Sequence, residues 1–397
     1  MNFKSFCAVF GIVLLLCQLG FSEQAEKPVL LVHEPQEALM KEWRKSDRFV
    51  FEGRSYDWRV SLPEHLQGAN PPDLITLNTR NAHYQTLIKE NLLADLSQDA
   101  QIQAVYGRLR PIFQSLLRSP DSKIYGMPLL VGMNECAYWL PEQWEAAGLS
   151  IQAAPDSFLA LSDFLENYLR QPPAGFRILP ESELADGLTH ARWLLNQLIQ
   201  VWYAQAQYQA HPAQFDDPMF AALIARAVNI GQTLDQYVWE KDAKPLFSCR
   251  YCRGVTLTGE SVTLRNLIPA RIDGTQEKLI LFGATLIGIR AGSPWEKEAI
   301  PYAAQAEDAQ PGWARVMLYA DVSPDDWNAA NPQYPITAAW LDSLETCGYT
   351  PFLSVQLHSG SDLDALYRDL LNGFLSADDF VWKLEILSRT PMAERNL

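Results

Sequence analysis

The sequence predicts an α/β fold, because short apolar strands and amphipathic helices alternate along the chain. Val29 to Val32 is a compact apolar strand, Gln36 to Arg44 has its apolar residues on one helical face, and Asp73 to Leu77 is strand-like again. Strand, helix and strand in this order are typical of parallel α/β units. Leu279 to Ile289 is a nearly continuous apolar run, which predicts a buried strand.

The other elements of the N-terminal third follow from the same patterns. A second short strand is predicted at Asp57 to Val60, a helix at His83 to Asn91, and one continuous helix from Ala100 to Leu117. In parallel α/β sheets, ligands bind beyond the C-terminal ends of the strands. Those ends carry Glu34 and the segment from Asn78 to Asn81.

The stretch from Ser122 to Leu149 predicts a passage from one compact unit to another. Its apolar segment, Lys123 to Val131, is too short for a helix of ordinary length. Pro128 lacks the N–H that a central strand would donate, so the segment is predicted at a sheet edge or in a crossover. Pro141 opens a short helix that is predicted to end at Gly148, as a C′ glycine.

Several helices in the rest of the chain have recognisable start signals. Asp156 or Ser157 is predicted to cap one helix, and Asp217, which precedes a proline, is predicted to cap another. Ser376-x-x-Asp379 is a predicted capping box. Thr189 to Gln207 is predicted to be one long helix.

The N-terminus is predicted to be an export signal that covers residues 1–22. A lysine precedes the apolar stretch from Phe6 to Leu16, which is too short to span a bilayer comfortably, and Gly20 and Ser22 suit cleavage after Ser22. Cys17 leaves a lipoprotein signal as an alternative, and an uncleaved anchor is a third. The protein is therefore expected outside the cytoplasm, either secreted, periplasmic or attached to the cell surface.

Charge and composition exclude several classes of function. The formal net charge of −15 argues against binding to nucleic acid or to anionic lipid, which both require a basic face. The sequence has no Gly-x-Ser-x-Gly elbow and no phosphate-binding loop, and none of its six histidines has metal-ligand spacing with another. We therefore expect no enzyme activity, no metal and no cofactor.

Four cysteines remain after removal of the predicted signal, namely Cys136, Cys249, Cys252 and Cys347. An even number of cysteines in an exported chain permits disulfides without defining their pairing. The Cys249-x-x-Cys252 spacing also occurs in redox and metal sites, and inert thiols are a further alternative. The sequence leaves these alternatives open.

One stretch carries a resemblance to a known family. Tyr125-Gly126-Met127-Pro128, Ala137-Tyr138-Trp139 and Glu145-Ala146-Ala147-Gly148-Leu149 resemble the first inter-lobe crossover of extracellular solute-binding proteins of family 1, which capture carbohydrates for ABC importers. Further matches follow in the family's order: Pro72-Asp73-Leu74-Ile75 with Leu92-Leu93-Ala94-Asp95-Leu96, Phe215-Asp216-Asp217-Pro218, Ala291-Gly292-Ser293-Pro294 and Asn372-Gly373-Phe374-Leu375-Ser376.

The resemblance implies a two-lobed α/β fold of the periplasmic-binding-protein type, with a hinge and an inter-lobe cleft. It places the first lobe at residues 28–131 and 270–315, and the second lobe at residues 132–269 and 316–397. Such a protein closes its lobes on a ligand and presents the closed form to a membrane permease. A monomer is expected.

The family's pattern also implies where the ligand contacts lie. Glu34 follows the first strand, Asn78, Arg80 and Asn81 follow the third, and Asn134 lies on the cleft side of the first crossover. The alternative for the first four is a solvated loop with local caps, and for Asn134 a role in a turn. Polar groups of these types bind sugar hydroxyls.

The chain departs from the family at two places. The family often has an acidic residue where this chain has Gly132, which removes the basis for a maltose-like specificity. The usual glycine and stacking aromatic are replaced near Arg250 and Tyr251, where Tyr251 could stack on a ring and Arg250 could bind a carboxylate or phosphate. A surface pair beside a disulfide is the alternative. Trp202, in the long predicted helix, is a further stacking candidate, although most tryptophans are expected in the cores.

The sequence therefore predicts an exported solute-binding protein for a sugar or oligosaccharide. A binding protein for another solute, such as a peptide or an organic acid, is one alternative. A surface sensor or adhesion subunit that keeps the fold without transport is another.

Overall fold

The structure is a computed structural model, and the following account concerns the residues that it describes. These are residues 28–32, 52–55, 62–79, 82–119, 122–133, 137–185, 188–209, 213–248, 268, 270–310, 312–332, 336, 341, 348–351 and 360–389. The predicted signal segment, the predicted helix from Gln36 to Arg44, the predicted strand from Asp57 to Val60 and the four remaining cysteines lie outside them.

The described strands form one large sheet and two small ones. They are β1 (Val29–Val32), β2 (Glu52–Ser55), β3 (Leu74–Asn78), β4 (Met127–Met133), β5 (Tyr138–Trp139), β6 (Phe176–Arg177), β7 (Lys244–Pro245), β8 (Phe247–Ser248), β9 (Leu279–Ile289) and β10 (Gly348–Pro351). The large sheet has the order β10-β9-β3-β1-β2, and β4 pairs with β9. The small sheets pair β5 with β8 and β6 with β7.

The described helices lie between and after these strands. They are α1 (Leu62–Gln67), α2 (Ala82–Lys89), α3 (Ala100–Arg108), α4 (Pro111–Leu117), α5 (Pro141–Ala146), α6 (Phe158–Arg170), α7 (Glu181–Ala185), α8 (His190–Tyr208), α9 (Pro218–Gln236), α10 (Glu296–Ala304), α11 (Gly312–Leu318), α12 (Asp325–Ala330), α13 (Gly360–Leu371) and α14 (Ala377–Arg389).

Two separate hydrophobic cores define two lobes. The first core is built around β1, β3, β4 and the C-terminal half of β9, with Leu30, Leu74 and Ile287 fully buried. The second core is mainly helical and contains the buried side chains of Trp144 and Phe220. The predicted two-lobed α/β fold is confirmed. We call the part around each core the first lobe and the second lobe.

Core membership bears on the predicted lobe limits, which stay a prediction. Ala270, Ile272 and Leu279 pack in the second core, whereas Tyr319 and Ile336 pack in the first. Because a side chain belongs to the lobe whose core buries it, we favour crossovers later in the chain than residues 269 and 315.

The predicted helix caps are present. Ser157 Oγ accepts a hydrogen bond from Ala160 N–H at 3.2 Å, and Asp217 Oδ1 accepts one from Met219 N–H at 2.7 Å. The side chain of Ser376 accepts one from Asp379 N–H at 3.0 Å. Gly148 follows α5 with a φ of +72°, the left-handed conformation that a C′ glycine adopts without a steric penalty. These local signals were sufficient because each acts within one helical turn.

The prediction of one continuous helix from Ala100 to Leu117 is wrong, since α3 ends at Arg108 and α4 begins at Pro111. A proline disfavours helical backbone at the residue before it, and Arg110 has φ −59° and ψ 145°. The break also has tertiary support, because the Nε–H of Arg110 donates to the carbonyl oxygen of Met317 at 3.1 Å.

Pro128 lies where its lack of a donor can be tolerated. The pairing of β4 with β9 shifts register between Pro128 and Leu130. Within the described residues β4 has β9 as its one neighbouring strand. The predicted position at a sheet edge is confirmed.

Candidate functional site

The strand β9 connects the two lobes. Its first residue, Leu279, is buried in the second core, and the stretch from Ala284 to Ile289 is buried in the first. Its first half pairs with β10 and its second half with β3, while β4 runs antiparallel to it from Ile287 to Phe282. The passage between the lobes is therefore a hydrogen-bonded ladder and not a single loose segment.

The C-terminal ends of the first-lobe strands lie at this passage. The strands β1, β2 and β3 are parallel, so their last residues, Val32, Ser55 and Asn78, share one edge of the sheet. Asn78 is directly opposite Thr285 on β9. Thr285 follows Ala284, the residue at which β9 enters the first core. We call this the carboxyl edge, and it faces the region where the second lobe begins.

Thr79 fixes the position of the carboxyl edge on β9. Its backbone N–H donates to the carbonyl oxygen of Ala284 at 2.8 Å, and its Oγ1 accepts from the N–H of Ala284 at 2.8 Å. Thr79 is buried, whereas Asn78 next to it is exposed. The exposed side chain of Asn78 therefore extends from a backbone that is fixed by strand pairing before it and by the hydrogen bonds of Thr79 after it.

The β5–β8 ladder has side chains in both cores, because Tyr138 is buried in the first core whereas Trp139 and Phe247 are buried in the second. Tyr138 pairs with Ser248 in antiparallel register. The chain reaches β5 at Tyr138, only five residues after the end of β4 at Met133, so the end of the ladder with Tyr138 and Ser248 is the end nearer to the first lobe. Two chain segments, one before β5 and one after β8, start from that end.

A buried carboxylate lies at the same end of the ladder. Ser248 Oγ donates to Glu183 Oε1 at 2.5 Å, and both residues are buried. Glu183 was not predicted from the sequence, because it lies in the short helix α7 and comes into contact with Ser248 only in the folded chain. A buried acid hydrogen-bonded to a serine at the end of β8 stiffens the position from which the next segment leaves.

The structure describes two of the predicted site residues. Asn78 lies on the carboxyl edge. Trp202 lies elsewhere, in a cavity of about 370 Å³ within the second lobe. The remaining predicted residues are outside the described part of the chain: Glu34, Arg80, Asn81, Asn134, Arg250 and Tyr251.

The described residues were also compared with the requirements of a metal site and of a membrane-spanning helix. No group of three or more His, Cys, Asp or Glu side chains among them is arranged to hold a metal ion. None of the described helices combines the length with the apolar composition that a membrane crossing requires.

Comparison with known proteins gives matches in structure but not in sequence. No family model matches the chain, and no curated protein matches it. Among solved structures, an ABC transporter solute-binding protein from Agrobacterium vitis S4 with bound D-mannitol is similar with a TM-score of 0.58 and 16% identity, covering 94% of this chain and 99% of that chain.

Two further structures have the same overall arrangement. An ABC substrate-binding protein from Listeria monocytogenes in complex with cycloalternan has a TM-score of 0.55 and 13% identity, covering 91% of this chain and 97% of its own. A sugar transporter from Rhizobium etli in an open conformation has a TM-score of 0.58 and 14% identity, with 92% and 100% covered. These neighbours share the two-lobed fold over nearly the whole chain, and at such low identity the likeness establishes the fold alone.

Proposed function

We propose that this chain is a carbohydrate-type solute-binding protein of an ABC importer, which captures a sugar or oligosaccharide between its lobes and delivers it to a permease. The observation that carries the proposal is the arrangement between the two cores, where the carboxyl edge pairs with β9 and the β5–β8 ladder has side chains in both cores. The bound sugars and sugar alcohol of the structural neighbours support it, as does the resemblance in sequence motifs.

The proposed contacts of the first lobe lie on or directly after the carboxyl edge. Asn78 is an amide with both donor and acceptor groups, which suits a sugar hydroxyl that also donates and accepts. Glu34, Arg80 and Asn81 are proposed as its neighbours, because the described strands before them, β1 and β3, end at this edge. The second lobe is proposed to contribute Asn134, Arg250 and Tyr251.

Closure is proposed to occur by bending at the passage. Gly132 and Gly283 lie opposite each other in the ladder between β4 and β9, close to the point where β9 passes from one core to the other. Glycine has a wider range of backbone conformations than other residues, so this pair is the proposed point of bending. A ligand favours the closed form by making contacts to both lobes at once.

The proposal predicts that a sugar raises the melting temperature of the mature protein. Stabilisation follows RT ln(1 + [L]/Kd), which is about 2.7 kcal/mol at a hundredfold excess over Kd. The measurement is a thermal-shift screen with monosaccharides, sugar alcohols and oligosaccharides, beside amino acids, peptides and organic acids. A shift with members of the second group and none with sugars would contradict the carbohydrate proposal.

A pair of variants tests the location of the site. Asn78→Ala removes a polar contact at the carboxyl edge and is expected to weaken binding of the identified sugar by about 0.5–1.5 kcal/mol in calorimetric titration. Asn229→Ala, on the exposed face of α9, is the matched control and should bind as the unmodified protein does. Equal affinity of both variants would place the sugar away from Asn78.

A further inference from the structure

The cavity that contains Trp202 lies apart from the proposed inter-lobe site. All of its lining residues belong to the second lobe, and they include Trp202, Gln205, Gln209, Asp217, Ile272 and Gln276. We propose that this cavity is a second binding site, for a neutral polyhydroxylated ring such as a single sugar residue. The proposal goes beyond the proposed function and does not depend on it.

The position of the cavity follows from the direction of β9. The turn that carries Ile272 and Gln276 precedes Leu279, the residue with which β9 begins in the second lobe. Ala284, where β9 meets the first lobe, is five residues further along, or roughly 16 Å at about 3.3 Å per residue. The turn extends from the opposite end of that stretch, so the cavity is at the end of the second lobe that is remote from the carboxyl edge.

The wall formed by this turn is fixed by hydrogen bonds. Gln205 Nε2 donates to the carbonyl oxygens of Ala270 and Glu277, at 2.7 and 2.9 Å, and so joins the two arms of the turn to α8. Gln276 Oε1 accepts from the N–H of Ile272 at 2.7 Å. The carbonyl oxygen of Ile272 in turn accepts from Leu159 N–H at 2.9 Å in the first turn of α6.

The opposite wall is equally ordered. The indole N–H of Trp202 donates to the carbonyl oxygen of Gln214 at 3.0 Å. The Trp202 ring packs against the buried ring of Phe220, with 4.7 Å between the centroids. Asp217 is held as the N-cap of α9. A cavity that is already formed in the free protein spares a ligand the cost of ordering its walls.

The chemistry of the lining indicates a neutral polyol. The half-buried indole of Trp202, together with Ile272 and Met219, offers an apolar surface for the C–H face of a ring. The amides of Gln209 and Gln276 and the carboxylate of Asp217 supply donors and acceptors around it. None of the described lining residues is Lys or Arg, so a phosphorylated or carboxylated ligand would face Asp217 without a compensating charge.

The experiment observes the cavity directly in the full-length mature protein. The indole N–H signals of 15N-labelled protein are recorded during titration with methyl α-D-glucopyranoside, and Trp202→Phe and Trp382→Phe assign the two signals that matter. Trp382 is exposed on α14 and does not line the cavity. We expect the Trp202 signal to shift with saturation, while the Trp382 signal stays in place.

Two neighbouring aspartates provide a matched pair of variants. Asp217→Asn keeps a side chain that can cap α9 but removes the carboxylate from the cavity. We expect it to lower the affinity for methyl α-D-glucopyranoside about tenfold. Asp216→Asn removes the same charge from an exposed position outside the cavity and should leave the affinity for methyl α-D-glucopyranoside unchanged. Thermal melts of both variants serve as the folding control.

Three results would overturn the proposal. The first is a Trp202 signal that does not move with methyl α-D-glucopyranoside up to its solubility limit. The second is an equal loss of affinity in Asp216→Asn and Asp217→Asn, which would indicate a general charge effect. The third is a response to glucose 6-phosphate or to choline at least as strong as that to the neutral glucoside, which would assign the cavity to a charged ligand.

Discussion

Single residues determine how closely the helices of the second lobe can approach each other. The long helices α8 and α9 pack together at Gly231 and Ala191. A Cβ atom added at Gly231 would lie 2.2 Å from the Cα of Ala191 and 2.5 Å from its nitrogen. Backbone atoms cannot yield at such distances, so the absence of a side chain at Gly231 is a packing requirement.

We predict that Gly231→Ala destabilises the protein by about 1–3 kcal/mol, because overpacking outweighs the better helix propensity of alanine. Gly107→Ala is the control, since Gly107 lies in α3 with nothing within 4 Å of an added Cβ. That variant should be stabilised by up to about 1 kcal/mol. Denaturant unfolding of both variants measures the difference, and a stable Gly231→Ala variant would show that α8 and α9 do not pack as described.

The start of α8 depends on one carboxylate from α9. Asp235 Oδ1 lies 2.8 Å from both the backbone nitrogen and the ring Nδ1 of His190, and Oδ2 accepts from Ala191 N–H at 3.3 Å. Burial opposes ionisation of Asp235, but the hydrogen bonds from His190 and Ala191 hold the pKa of this carboxyl below its ordinary value of 3.8. The ionised form is therefore the form that the fold stabilises.

This depressed pKa gives a pH dependence with a defined sign. The stability that the Asp235 carboxylate contributes is fully present above the ordinary pKa, and it is lost as the pH falls through the lower pKa of the folded state. We predict that the melting temperature of Asp235→Asn declines less steeply than that of the unmodified protein below about pH 4. Asp326→Asn, at an exposed position, is the control. Identical pH profiles for Asp235→Asn and the unmodified protein would contradict the assigned role.

At the scale of single elements, the extent of a helix is determined by the residues at its two ends. The helix α3 begins at Asp99, whose Oδ1 accepts from the N–H groups of Gln101 and Ile102 at 2.9 and 3.0 Å. It ends at Arg108, and both Leu109 and Arg110 have non-helical backbone before Pro111 opens α4. The start and the end of α3 are therefore determined by residues directly next to the helix.

We predict that Asp99→Ala lowers the free energy of unfolding by about 1 kcal/mol, because two N–H groups at the start of α3 lose their acceptor. Asp99→Asn should retain most of the stability, since asparagine caps helices about as well as aspartate. Urea unfolding of the three proteins is the measurement. Equal losses for both substitutions would mean that the charge of Asp99, and not its hydrogen bonds, supports the helix.

At the scale of the whole molecule, two cores share one hydrogen-bonded passage. If that passage is a hinge, the ligand identified by thermal shift should reduce the radius of gyration in small-angle X-ray scattering, because the closed form brings the lobes together. The Trp202→Phe variant should show the same reduction, since its cavity is remote from the carboxyl edge. A radius of gyration that does not change at saturating ligand would contradict hinge closure.

The sequence by itself determined those features whose causes are local. The caps at Ser157, Asp217 and Ser376, the C′ glycine at Gly148 and the extent of β9 follow from interactions within a few residues or from a continuous apolar run. The α/β class followed from the alternation of such elements. The two-lobed arrangement was predicted from family resemblance, because periodicity carries no information about which elements share a core.

Only the tertiary structure decided the features that join distant parts of the chain. It placed Ala270, Ile272 and Leu279 in the second core, brought Glu183 to Ser248 and formed the cavity around Trp202 from three separate segments. Trp202 illustrates the physical reason. Its position in the long helix made it a stacking candidate, but which end of the lobe it faces depends on the direction in which β9 leaves the second core. That direction is determined by pairing with β3, β4 and β10. These strands are distant from β9 in sequence, so local sequence patterns do not predict the pairing.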